Sequence, residues 1–235
     1  MTTPSVKILS THALMEPLKA LAPALERASG GALAVSYDPT QALKRRIAEG
    51  AAFDLVIATR EALDELARAG TVVRESCRDI ARSGLGLSVR KGAAKPDIST
   101  REAFTRALLD AKSVVRSAEG ASGRYFATLI ERLGIAQAMR GKIILGPSGR
   151  VAELLVRGEA EIAVQQTSEL LPVAGADYVG PFPPELQLFT VFAAGIGSAA
   201  KAPEAAETLI AKLTAPATRP LLRAHGLEPV SGEGS

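Results

Sequence analysis

Short apolar runs alternate with segments of helical periodicity along almost the whole chain, and no other feature restricts the fold as much. "SVKILS", "LAVSY" and "DLVIAT" are followed in turn by amphipathic stretches from Leu14 to Ser29, Ala42 to Glu49 and Glu61 to Ala69. A strand that must run parallel to its predecessor needs a long crossover, usually a helix. This rhythm therefore predicts an α/β fold with mostly parallel sheets and helices on both faces.

After Cys77, "ARSGLGLSVRKGAAKPDIS" offers one longer strand, Leu85 to Arg90, then a Gly, Ala and Pro segment with loop character. "SGLGLS" precedes no phosphate-binding helix and reads as a flexible lead-in to that strand. The rhythm then resumes: helix Thr100 to Ala111, strand "SVVRSA", helix Gly123 to Leu133, strand "KIILG", helix Arg150 to Arg157 and strand "EIAVQQ". "GPFPPELQLFTVFAAGIG" is a proline-rich turn into a strand apolar on both faces, and helices from Pro203 to Leu213 and Arg219 to Ala224 follow. A crossing into a second lobe and a return to the first fit this order. The expected division is residues 1–82 with 186–235 in one lobe and 83–185 in the other, with a ligand cleft between them. A single doubly wound sheet has the same rhythm. The tail "VSGEGS" is expected to fray.

Composition removes several classes of function. Hydrophobic residues make up 47% of 235, enough for a real core, yet Arg, Lys, Glu or Gly breaks each apolar stretch before it reaches membrane-spanning length. "MTTPSVKILSTHALMEPLKAL" lacks the basic start and continuous apolar segment of a secretory signal. The chain as written is expected in the cytoplasm, or in the periplasm if a signal has been removed. With Cys77 as its one cysteine and only two histidines, it predicts no internal disulfide, no metal site and no cofactor. Net charge is +3, but basic residues are scattered among acidic ones and aromatics are only 4%, a balance suited to small anions rather than nucleic acid. G-x-S-x-G, Walker, G-x-G-x-x-G and H-E-x-x-H motifs are all absent.

In open α/β sheets, ligands collect at the carboxyl ends of strands. The residues just after the predicted strands are Ser10, Thr11 and His12; Asp38, Pro39 and Thr40; Thr59 and Arg60; Gly120 to Arg124; Ser148, Gly149 and Arg150; and Gln165, Gln166 and Thr167. Hydroxyls, amides, glycines and guanidinium groups dominate, an inventory of donors for a carboxylate or another oxyanion. From it we take Ser10, Thr11, His12, Thr40, Thr59, Ser122, Gly123, Arg124, Gly149, Arg150 and Gln166 as candidate ligand contacts. Thr40 is equally suited to cap a helix, Arg60 to pair with Asp64 at helical spacing, and His225 to close a helix ending at glycine.

"SAEGASGRYFATLIERLG" is the most informative of these stretches. A helix start exposes unpaired N–H groups and the positive end of the peptide dipole, so small residues there, with no carboxylate after Glu119, admit an anion. Gly123 is expected to provide that room, while Ser122 also serves as an ordinary N-cap candidate.

"ALKRRIAEGAAFDLVIATREALDEL", "GASGRYFATLIERLGI" and "RVAELLVRGEAEIAV", in this order, resemble the periplasmic molybdate-binding proteins of bacterial transporters, two-lobed members of the type II solute-binding class. The resemblance covers nearly the whole chain. It implies a monomer that closes on a small anion and hands it to an ABC-transporter permease. It also implies an oxyanion held by two serine hydroxyls, by backbone N–H groups at two helix starts and often by a tyrosine. Carried over, the serines fall on Ala13 and Thr40, the helix starts near Ser122 and Gly149, and the tyrosine on Gln166. One hydroxyl is lost and the phenol has become an amide, so a small organic carboxylate is expected in place of molybdate. "ARSGLGLSVRKGAAKPDIS", "GASGRYF" and "QQTSEL" are also similar to a branch of this class that includes a bacterial aconitate isomerase. That similarity implies, as the alternative to simple capture, an allylic proton shift with His12 as the base.

Overall fold

The computed structural model describes residues 5–230 and divides into two compact units. One comprises the chain up to Arg82 together with the chain from Thr190 onward, and the other is Ser83–Phe189. The residues after Val230, where fraying was expected, lie outside those described.

The first unit starts with β1 (Ser5–Ser10), a 3-10 turn His12–Leu14, α1 (Met15–Ser29), β2 (Ala32–Tyr37), α2 (Thr40–Ala48), β3 (Leu55–Thr59) and α3 (Arg60–Arg68). β4 (Arg78–Arg90) begins in this unit and ends in the second. The second unit continues with α4 (Arg101–Asp110), β5 (Val114–Ser117), α5 (Ala121–Arg132), α6 (Ala136–Met139), β6 (Ile143–Gly146), α7 (Glu153–Val156), β7 (Ile162–Gln166), α8 (Thr167–Leu170) and β8 (Ala176–Pro181). The return is made by β9 (Phe189–Ile196), α9 (Pro203–Thr214), α10 (Arg219–Ala224) and β10 (Glu228–Pro229).

In the first unit β1 lies between β2 and β3, parallel to both; β9 adds antiparallel to β3, and β10 antiparallel to the start of β4. Successive β3 residues bury on opposite faces, as a strand's period of two requires. Leu55 and Ile57 join a core with Leu18 of α1 and Leu209 and Leu213 of α9, while Val56 and Ala58 join Leu43 of α2 and Leu63 of α3. Asp54, just before β3, is 4% exposed and ties this layer together. Its carboxylate accepts the Lys7 N–H at 2.8 Å, the Lys201 N–H at 2.7 Å and the Ala202 N–H at 3.0 Å.

The second unit repeats the plan. β5 lies between β6 and β7, parallel to both, β4 adds antiparallel to β7, and β8 pairs with the free edge of β4. Val114, Ile162 and Val164 bury against Phe104 of α4 and Phe126 of α5, whereas Val115 and Ala163 bury against Leu155 of α7 and Leu170 of α8. α/β sheets with helices on both faces are thus present, with antiparallel strands added at β4, β8, β9 and β10.

Local expectations differ at several points. β4 starts at Arg78 rather than Leu85, so "SGLGLS" is regular strand and not a flexible lead-in. Its glycine at 86 makes room for an aromatic ring, since a Cβ there would stand 2.5 Å from Cε2 of Tyr178. α7 is limited to Glu153–Val156 where a helix from Arg150 to Arg157 was expected, and β8 forms where no strand was read.

Candidate functional site

Because β2, β1 and β3 are adjacent and parallel, their carboxyl ends bring Ser10, Thr11, His12, Thr40 and Thr59 to one edge of the first unit's sheet. Ser10 is fully buried; its Oγ donates to the Thr11 carbonyl at 3.1 Å, and its own carbonyl accepts the Asp38 N–H at 3.1 Å. Thr11 is buried, with its N–H on the Ile57 carbonyl at 2.9 Å. His12 is partly exposed and opens the 3-10 turn. Ala13, where the resemblance put a serine, is packed into the core beside Leu14 and Leu18.

Thr40 is the first residue of α2, and Pro39 occupies the capping position, so the expected Thr40 cap is not formed. Thr59 does cap α3, accepting the Ala62 N–H at 3.4 Å. Arg60 pairs with Asp64 as expected at 3.1 Å and also with Asp79 at 3.1 Å. Those two carboxylates outweigh the desolvation that opposes them and hold its guanidinium above the usual value.

In the second unit β7, β5 and β6 bring Gln166, the start of α5 and the turn at Gly149 to a common edge. α5 begins at Ala121 with Gly120 as its N-cap; no side chain caps it and its first turn carries no acid. Ser122 therefore sits inside the first turn, 2% exposed, and is not the cap. Ser117 organises this end: its Oγ accepts the Gly120 N–H at 2.8 Å and shares a 2.6 Å hydrogen bond with Ser148 Oγ. A Cβ at Gly123 would lie 1.9 Å from the Ser117 carbonyl oxygen. The glycine is thus required by the packing of α5 on β5, which replaces the expectation that it opens space for a ligand.

Arg124 is exposed and donates to the Glu119 carbonyl. Gly149 adopts φ +78° in the turn after β6, a left-handed conformation suited to glycine. Arg150 is exposed, precedes α7 and pairs with Glu153 at 3.1 Å. Gln166 is 4% exposed and occupies the N-cap position of α8.

Further polar groups accompany these. Arg116 of β5 donates from one terminal nitrogen to the carbonyls of Ser117 and Gly123, each at 3.1 Å, while its buried Nε has no partner. Burial pulls its guanidinium below the usual value, with no carboxylate opposing the effect. Gln165 is 1% exposed and its Oε1 is also without a partner. Burial pushes the Glu169 carboxyl of α8 up to about 7, against the opposing hydrogen bond from the Gln165 amide. Ser117, Ser148 and Gln165 were visible at or beside strand ends, whereas Arg116 reads as an interior strand residue and Glu169 as an ordinary helical acid.

Among the described residues no group of three or more His, Cys, Asp and Glu side chains could hold a metal ion, and no helix is long and apolar enough to cross a membrane. The donor set is one for anions: an uncapped helix start free of acid, serine hydroxyls and a guanidinium without an acidic partner.

Comparisons with known proteins bear on the family and the fold. An aconitate isomerase from a Pseudomonas species is 33% identical over 97% of this chain and 89% of its own length. Among solved structures, the periplasmic molybdate-binding protein of Azotobacter vinelandii superposes with a TM-score of 0.80 at 17% identity, covering 96% of this chain and 100% of that one. The sulfate-binding protein SubI of Mycobacterium tuberculosis H37Rv gives 0.76 at 16% identity, covering 99% and 88%. These two likenesses establish the fold. Residues 6–228 match the bacterial extracellular solute-binding proteins, and the chain belongs to that family.

Proposed function

We propose that this chain captures a small organic carboxylate, anchored in the second unit by the first-turn N–H groups of α5. The observation that carries this reading is the start of α5, acid-free and with no side-chain cap, with the Arg116 guanidinium beside it, which donates to the Ser117 and Gly123 carbonyls but meets no carboxylate and keeps its Nε without a partner. Exposed N–H groups and a fixed cation favour an anion, and a guanidinium suits a planar carboxylate. The loss of a hydroxyl at Ala13 and the amide at Gln166 weigh against a tetrahedral oxyanion. Ser10, Thr11, His12, Thr40 and Thr59 are the candidate contacts of the first unit taken by itself, and Gly149, Arg150 and Gln166 are further candidates in the second. In an exported form, the protein would deliver its ligand to the permease of an ABC transporter.

The 33%-identical aconitate isomerase supports a second reading, in which the bound tricarboxylate undergoes an allylic proton shift with His12 as base. Isothermal titration calorimetry with trans-aconitate, citrate, succinate, molybdate and sulfate tests the first reading. Tight molybdate binding with no response to any carboxylate contradicts it. Proton NMR of trans-aconitate incubated with the protein tests the second. Conversion that falls about a hundredfold in His12→Ala, with binding retained, supports the isomerase, and no conversion by the unaltered protein removes it.

A further inference from the structure

The end of β7 carries Gln165 on the sheet face that α7 and α8 cover, the face opposite the one on which α5 packs. β5 and β7 are parallel with Val115 beside Ala163 and Arg116 beside Val164, and continuing that register by one residue past the last recorded pair sets Ser117 beside Gln165. Val115 and Ala163 face one core, so Ser117 and Gln165, each two residues further on, share that face. Neighbouring strands lie about 4.8 Å apart, so Gln165 adjoins the Ser117 hydroxyl that organises the start of α5. Glu169, one helical turn beyond Gln165, reaches back to its amide.

This pair is incompletely satisfied as it stands. The Gln165 amide donates to Glu169, leaving buried Oε1 with no donor, and Ser168 Oγ is a further buried atom with no partner. Protonating Glu169 leaves its carbonyl oxygen to accept from the Gln165 amide, so that hydrogen bond survives neutralisation, whereas turning the amide would only exchange an unpartnered oxygen for an unpartnered N–H. No ion pair opposes neutralisation, because the charged and titratable groups on the elements packed around α8 are committed elsewhere. Arg157, just after α7, pairs with Glu153 and Glu159. Asp177 of β8 accepts the Gly92 N–H, and the Tyr178 hydroxyl shares a hydrogen bond with Thr167. Lys95 donates to the Tyr178 carbonyl, and Arg116 to the carbonyls of Ser117 and Gly123.

We propose that Glu169 is the positioning residue that sets the charge of the anion site, and that it takes up a proton when an anion binds at the start of α5. The inference rests on the capture reading above. An ionised Glu169, partly exposed and joined through Gln165 to the strand ends beside Ser117, would repel the incoming anion, whereas the neutral acid keeps the hydrogen bond to Gln165 and drops the repulsion. The free carboxyl already titrates about 7, so a modest further rise completes its protonation in the complex near neutral pH.

Calorimetry at pH 7.5 with trans-aconitate and with molybdate, in HEPES, Tris and imidazole buffers, measures the proton directly. The observed enthalpy should vary with buffer ionisation enthalpy with a slope corresponding to uptake of roughly half a proton or more. In Glu169→Gln, which preserves shape and hydrogen bonding, binding should persist with that slope abolished and affinity nearly constant from pH 6.5 to 8.5. Should Glu169→Gln not fold, carbon-detected NMR of the wild-type glutamate carboxyls replaces it, and one carboxyl must titrate near neutrality when free and higher when either probe is bound. Binding with no buffer dependence, or a dependence retained in Glu169→Gln, overturns the proposal and leaves anion capture intact. No binding of either probe, nor of the other anions named above, overturns both.

Discussion

A methyl group at Gly123 has no place to go. The carbonyl oxygen of Ser117 would stand 1.9 Å from it, and that oxygen belongs to backbone held in β5 and cannot swing aside. Gly123→Ala should therefore destabilise the protein by about 3 kcal/mol, the upper part of the overpacking range, as measured by urea denaturation. A change below about 0.5 kcal/mol, typical of surface substitutions, would contradict the packing explanation. Sequence alone presented this glycine as a place for a ligand, because a small residue in a helix start looks the same whether its neighbour is an anion or a carbonyl. Glu169 was similarly hidden: "QQTSEL" displays its amides, but nothing in the string reveals that the acid folds back onto the Gln165 amide. Its effect on stability has a definite sign. With a folded value near 7 against about 4.5 unfolded, the folded chain holds the proton more tightly, so this stabilisation is fully present below about pH 4.5 and is lost as pH rises to about 7. Comparing denaturation of the wild type and Glu169→Gln from pH 4.5 to 8 should show a downward slope specific to the wild type.

At the level of elements, the alternation of apolar runs and amphipathic stretches was enough to locate β1, β3, β5, β7, α1, α4 and α9, because each is bounded by residues that end regular structure. It was insufficient where an element depends on a distant partner. The glycines that disguised the start of β4 are accommodated by Gln187, Phe189 and Tyr178, and β8 is a strand because it pairs with β4 despite Gly180 and Pro181. "RVAELLVRG" has helical periodicity, yet turns at Gly149 and Gly158 confine the helix to Glu153–Val156. Asp54 shows the reverse dependence, since one short side chain connects three elements. Its removal leaves the N–H groups of Lys7, Lys201 and Ala202 without their acceptor. Asp54→Ala should cost about 3 kcal/mol in urea denaturation, and Asp54→Asn less, because an amide oxygen replaces only some of those bonds. Equal losses for both variants would show that charge rather than hydrogen-bond geometry holds the layer.

For the whole molecule, the consequence of ligand capture is a concentration-dependent gain in stability. Each unit has its own cores on both faces of its sheet, so unfolding need not be a single two-state event, and scanning calorimetry is the measurement that resolves the components. A ligand that binds only folded protein stabilises it by about 2.7 kcal/mol at a hundred times its dissociation constant. In a chain of 235 residues, each kcal/mol corresponds to about 2–4 °C, so a true ligand should raise the transition that contains the second unit by about 5–11 °C at that concentration. Each further tenfold in ligand should add about 1.4 kcal/mol, or about 3–6 °C, which separates mass-action binding from a general salt effect. Trans-aconitate or another small carboxylate should produce this logarithmic rise and molybdate a smaller one. A shift that saturates with ionic strength, is equal for chloride and the carboxylates, and leaves the second unit's transition in place would show that the start of α5 holds no specific anion.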